Sequence, residues 1–109
     1  MKKSLAQNTG SVHDLLIDSL QNKKTAEAYL KVALEEYQNE GNSELFLLAL
    51  RNIAEAHGGI GRLAQTTHLN RQSLYQTLSG KGNPRLITLN KILHALGFQL
   101  SVNLSHPPH

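Results

Sequence analysis

Cysteine and tryptophan are absent from this chain, and aromatic residues make up only 5% of it. Without cysteine there is no disulfide framework, no thiol nucleophile and no Cys-type zinc site, a usage that fits a reducing compartment. Long apolar runs are missing as well. The longest, Leu45 to Leu50, is far too short to span a bilayer. Met1-Lys2-Lys3 begins like a signal peptide, but Gln7, Asn8 and Thr9 stand where its apolar stretch belongs. A cytoplasmic protein with no membrane segment is therefore expected. The last scarcity is of one charge: after Glu55 the chain holds no aspartate or glutamate.

Beyond Glu55 the charged residues are Arg62, Arg71, Lys81, Arg85 and Lys91, with no acid beside them in sequence to neutralise them. Residues 1–40 carry five lysines and six acids, net −1, while residues 41–109 carry six basic and two acidic side chains, net +4, giving the overall +3. Such a split suggests two different partners. Small domains also show it by chance, and net charge argues for non-specific attraction rather than for fold. At 109 residues the chain has room for one domain with a modest core, plus tails.

Residues 1–24 read as a flexible or partner-binding N-terminal segment. Within it Val12, Leu15, Leu16 and Leu20 have helical spacing, which fits a short helix or a docking segment. Residues 25–97 read as a helical domain. Thr25 is placed to cap its first helix, where Ala26, Tyr29, Leu30, Ala33, Leu34 and Tyr37 form an apolar core stripe and Glu27, Lys31 and Glu35 succeed one another at four-residue spacing. Gly41 and Asn42 end it, and Asn42 is placed to cap the next. Residues 43–57 are the most apolar, with Leu45, Phe46, Ala49, Leu50, Ile53, Ala54 and His57 in one stripe widened by Leu47 and Leu48; Gly58 and Gly59 stop it. Two short helices, Ile60 to Thr66 and Arg71 to Leu78, flank a turn at Thr67-His68-Leu69. Thr88 is placed to cap a last helix with Leu89, Ile92, Leu93 and Leu96 inside, stopped by Gly97.

Over residues 98–105 the period changes. Phe98, Leu100, Val102 and Leu104 alternate with Gln99, Ser101 and Asn103, the pattern of a strand. A lone strand has no partner for its ladder hydrogen bonds. Either it pairs with another chain, its own twin or a partner's sheet edge, or it is an extended tail laying its apolar side on the helices. Residues 106–109 are a tail. The expected fold class is all-α: about five helices including a helix-turn-helix, plus a short C-terminal β-strand.

The pair of short helices is where chemistry is most legible. Ala64 is small where the two would cross, and Leu63, Leu69, Leu74 and Leu78 are spaced to point inward and fix their angle. Asn70 can satisfy free amides at the start of the second helix. Arg71, Gln72, Ser73, Tyr75 and Gln76 are left facing outward. A glutamine pairs bidentately with adenine in the major groove and an arginine with guanine or a phosphate, and N-terminal residues of such a helix usually make these contacts. Gln72 and Gln76 are thus expected to read bases, Arg71 and Tyr75 to touch base or backbone, and Ser73, Lys81 and Arg85 to hold phosphates. Solvation alone also explains a polar helix face; here the small residue, the apolar spacing, the cap and the basic loop agree. One such module reads too few base pairs, so a homodimer on a palindromic operator is expected.

Other chemistry finds little footing. The six histidines, at 13, 57, 68, 94, 106 and 109, lack metal-ligand spacing with a carboxylate on the same helix face, so no metal and no cofactor is expected. His57 and His94 suit helix C-termini. Gly80-Lys81-Gly82 lacks the spacing of a phosphate loop. With no carboxylate pair in the second half, general acid–base catalysis has no site there, and neither an enzyme nor a small-molecule substrate is expected.

Residues Ile60 to Leu100 resemble the lambda-repressor-like, Cro-type helix-turn-helix domain through Leu63-Ala64-Gln65, Asn70-Arg71-Gln72-Ser73 and Leu96-Gly97. His68 departs from it, standing where glycine is common. A narrower match covers about Ala26 to Val102: AYLKVALEE, LFLLALRNIAEAHGGIGRLA and RQSLYQTLSGKGNPRLITLNKILHALG are similar to the addiction-module antidote family of HigA-like antitoxins, with SLYQTLSGKGNPR the most specific stretch. That resemblance implies a DNA-binding antitoxin of a type II toxin–antitoxin module, one that represses its own promoter and neutralises a RelE-like ribonuclease toxin by direct binding. A toxin that attacks RNA should be basic, so Asp14, Asp18, Glu27, Glu35, Glu36 and Glu40 form the expected toxin-binding set. The rival expectations are a free-standing phage or plasmid regulator, and a protein-interaction module that has lost DNA binding.

Overall fold

The computed structural model describes residues 11–103, and these form six α-helices. They are α1 (Val12–Ser19), α2 (Lys23–Glu40), α3 (Glu44–Ala56), α4 (Gly59–Thr67), α5 (Arg71–Thr77) and α6 (Leu86–Ala95). The all-helical expectation holds, with one helix more than the expected five because Val12–Ser19 is helical too.

The core is built around α3. Phe46, Leu47, Ala49, Leu50, Ile53 and Ala54 are all buried. Of the rest of its apolar stripe, Leu48 and His57 are half-buried and Leu45 is exposed. α2 lies against α3 through Ala26, Leu30 and Ala33, buried at i, i+4 and i+7. The α2 stripe is narrower than its sequence suggests: Tyr29 is half-buried and accepts a hydrogen bond from Asn52 Nδ2 at 2.9 Å, but Tyr37 is exposed near the helix end, not core. α1 buries none of its own residues, and Val12 and Leu15 stand in solvent. It is held to the domain by Leu16, which packs against the core, by His13, 3.4 Å from Glu55 of α3, and by Leu20, the fully buried cap residue, whose carbonyl accepts from His57 Nε2 at 2.9 Å.

Caps set most boundaries. Ser11 Oγ accepts from the Asp14 amide and starts α1. α2 begins two residues before the expected cap, because Asn22 Oδ1 takes the Thr25 amide at 2.9 Å and Thr25 itself is helical. Ser43 is the boundary residue of α3, yet Asn42 Oδ1 still accepts the Glu44 amide at 2.9 Å. Likewise α6 begins at Leu86 after Arg85, so Thr88 lies inside its first turn. Its end is a Schellman turn: Gly97, at φ 92°, sends its amide to His94 O, and the Phe98 amide reaches Leu93 O at 2.8 Å.

Over its described residues, 98–103, the expected C-terminal strand is not formed. Residues 98–103 have no regular secondary structure, and residues 104–109 lie outside the described chain. Phe98 packs against the core, whereas Leu100 is 41% and Val102 97% exposed. The alternation is real, but a strand exists only by hydrogen bonding to a neighbour, and the helical elements among the described residues offer none. Of the segment at residues 1–24, the part from residue 11 comprises α1, its turn and the start of α2; residues 1–10 lie outside the described chain. Among the described residues no helix is long and apolar enough to cross a membrane.

Candidate nucleic-acid interface

α4 and α5 are set at a fixed angle by a tightly bonded turn. Thr67, the last residue of α4, is buried; its hydroxyl donates to Leu63 O at 2.7 Å and accepts from the Leu69 amide at 3.2 Å. His68 then takes φ 61° and ψ 25°, the left-handed region, and it is the one described non-glycine residue with positive φ. Histidine at a glycine-prone position therefore leaves the backbone geometry in place. Asn70 ends the turn in extended conformation and caps α5, with Oδ1 accepting from the Ser73 amide at 2.9 Å. Leu63, Leu74 and Leu78 are buried and Leu69 packs beside them, as their spacing requires.

With the leucines inside, the other face of α5 is free. Asn70, Arg71, Gln72, Ser73, Tyr75, Gln76, Lys81 and Arg85 are exposed. Ser73, Gln76 and Lys81 come together along one open groove, with Thr77, Ser79, Gly82 and Asn83 as its other walls. Arg71 opens instead onto a second cleft, between α4 and α5, beside Arg62, Gln65 and Thr66. Asn70 has its side-chain oxygen committed to the cap. Arg85 stands apart from both grooves, at the head of α6. The loop after α5 is closely fitted: a Cβ on Gly82 would collide with the Thr77 carbonyl, and one on Gly80, at φ 95°, would meet Glu44 Cγ at 3.0 Å.

Three contributions escape a reading of the sequence. Arg51 of α3 lies over the Tyr75 ring, its Cζ 5.7 Å from the ring centroid, with Arg71 Cζ at 6.0 Å. Nothing in linear order links α3 to α5. Arg62 and Gln65 of α4 line the Arg71 cleft, and their position one turn apart on a short helix is the only signal they give. The Thr67 hydroxyl is hidden as a mere turn residue.

The electrostatics follow the charge split. α4, α5 and α6 hold no acid, and among the described residues no carboxylate lies within ion-pair distance of Arg51, Arg71, Lys81 or Arg85. The acids expected to face a toxin all sit on α1 and α2. Glu27, Glu35, Glu36 and Glu40 are exposed, with Asp14 and Asp18 on the shorter helix before them. Glu27 pairs with Lys31 at 3.9 Å, one turn along α2. Glu35 and Glu36 occupy the adjoining turns.

Comparison with known proteins bears on the same stretch. A protein of Haemophilus influenzae (strain ATCC 51907 / DSM 11121 / KW20 / Rd), described as uncharacterized, is 38% identical over 81 residues, covering 74% of this chain and 82% of the relative. No solved structure matches significantly. The family model of the probable addiction module antidote protein matches residues 12–104, which takes in all six helices, and the chain belongs to that family.

Proposed function

We propose that this chain is the antitoxin of a type II toxin–antitoxin pair, a cytoplasmic, non-enzymatic protein that reads duplex DNA with α5 and silences the promoter it shares with its toxin. The observation that carries the reading is the α5 face: Arg71, Gln72 and Tyr75 uncovered, with Gln76 in the adjoining groove, on a capped helix in the acid-free stretch of chain after Glu55. In this reading α4, the turn at His68 and α5 work as a helix-turn-helix of the lambda-repressor type. Gln72 and Gln76 meet base edges, while Ser73, Lys81 and Arg85 meet phosphates on the flank. Two copies on a palindrome give enough base pairs for an operator. The antidote family supplies the second partner, a toxin, for which a basic RelE-like ribonuclease is the chemistry that suits the acids of α1 and α2.

The test is a titration of the labelled region upstream of the gene, at two salt concentrations, with random DNA as competitor. Wild type should bind tightly and resist the competitor. Gln72→Ala should lose roughly 1–3 kcal/mol and relax specificity at one base position. Binding no tighter than to random DNA would replace this reading with that of a protein-interaction module.

A further inference from the structure

Two guanidinium groups gather over one aromatic ring, that of Tyr75: Arg71, one turn earlier on α5, and Arg51, from α3. Each is attracted by the negative face of the ring. No carboxylate among the described residues lies within ion-pair distance of either. Tyr75 is 40% exposed, Arg71 is exposed and Arg51 half-buried, so the assembly opens to solvent rather than closing on itself.

Two cations on one ring without a counter-charge favour an anion beside them. The planar, forked donors of arginine suit phosphate oxygens in particular. We infer that Arg51 and Arg71, steadied by the Tyr75 ring, form a clamp on the phosphate backbone of DNA at the edge of α5, which makes Arg51 a DNA-binding residue contributed from outside α4 and α5. The inference rests on the DNA-reading proposed above. It assigns Arg51 to affinity and register, because a phosphate contact carries no base information.

The clamp predicts a change in salt dependence. One neutralised phosphate contributes about 0.9 to the slope of log affinity against log salt. Between 50 and 200 mM salt the affinity of wild type should therefore fall about 3.5-fold more than that of Arg51→Gln. Arg51→Lys should keep the wild-type slope, and Arg51→Gln should weaken operator and random DNA by the same factor. In a Tyr75→Leu background the effect of Arg51→Gln should shrink, because the ring no longer holds the guanidinium in place. Thermal melting of each full-length variant checks the fold, and Arg51→Met, which keeps the aliphatic stem, replaces Arg51→Gln if that variant melts early. An unchanged slope in the uncharged variants, with wild type still preferring its operator, would overturn the clamp alone. Wild type without operator preference would overturn the promoter reading, while the slopes measured on random DNA would still decide the clamp.

Discussion

His68 carries the one backbone conformation in the described chain that its side chain resists. An L-residue in the left-handed region crowds its Cβ against the next carbonyl, at a cost of about 1–2 kcal/mol, which histidine tolerates better than a branched residue does. The turn is held there by its neighbours: the Thr67 hydroxyl takes the Leu69 amide on one side and Asn70 caps α5 on the other. Relieving the crowding should stabilise the domain, offset by the greater freedom of glycine when unfolded. His68→Gly should thus gain up to about 1 kcal/mol and raise the melting midpoint by a few degrees, while His68→Val should lower it. Circular dichroism melting curves that superimpose for all three would show that the turn stores no such strain.

At the scale of elements, the join between α5 and its basic loop is the least forgiving part of the proposed DNA-binding surface. A methyl on Gly82 would strike the carbonyl of Thr77, a backbone atom that cannot turn aside. Gly82→Ala should therefore displace Lys81 or the last turn of α5, costing roughly 1–3 kcal/mol as overpacking does. DNA affinity should fall with it; a variant that melts and binds as wild type would show that the loop is free to move. Nothing in the sequence discloses this fit, because Gly82 sits in a run of loop residues where glycine needs no special reason. The helices themselves are legible where a stripe and a stop agree, as in α3 between Asn42 and Gly58. They are less so where two caps compete: Asn22 and Thr25 both suit a helix start, and only the hydrogen bond to the Thr25 amide decides between them. The α5 face is readable because Leu74 and Leu78, turned inward, leave Gln72 and Gln76 away from the core. Arg51 is not, since its link to Tyr75 depends on how α3 crosses α5. The alternation of Phe98, Leu100 and Val102 misleads for a similar reason, as a strand needs a neighbour to pair with and the described residues provide none.

On the scale of the whole molecule, the two halves of the charge split answer to different tests. All six acids assigned to toxin contact stand on α1 and α2, and the residues assigned to DNA on sequence grounds stand on or after the cap of α5. Deleting residues 1–24 would confuse the two functions, because Leu20 is fully buried and Asn22 caps α2, so the cut would reach the core and the start of a long helix. Charge reversal leaves both in place. Glu35 and Glu36 are exposed and make no ion pair among the described residues, so Glu35→Lys with Glu36→Lys removes two negative charges without breaking an internal bond. Against a basic toxin, this pair of changes should weaken binding by roughly tenfold or more and slow association most at low salt. Operator affinity should stay level or rise slightly, since the net charge moves further positive. Calorimetric titration with the cognate toxin, run alongside the DNA titration, separates the outcomes. A toxin complex of undiminished affinity would remove the acids of α2 from the interface, and a fall in DNA binding alone would mean that the two surfaces are not independent.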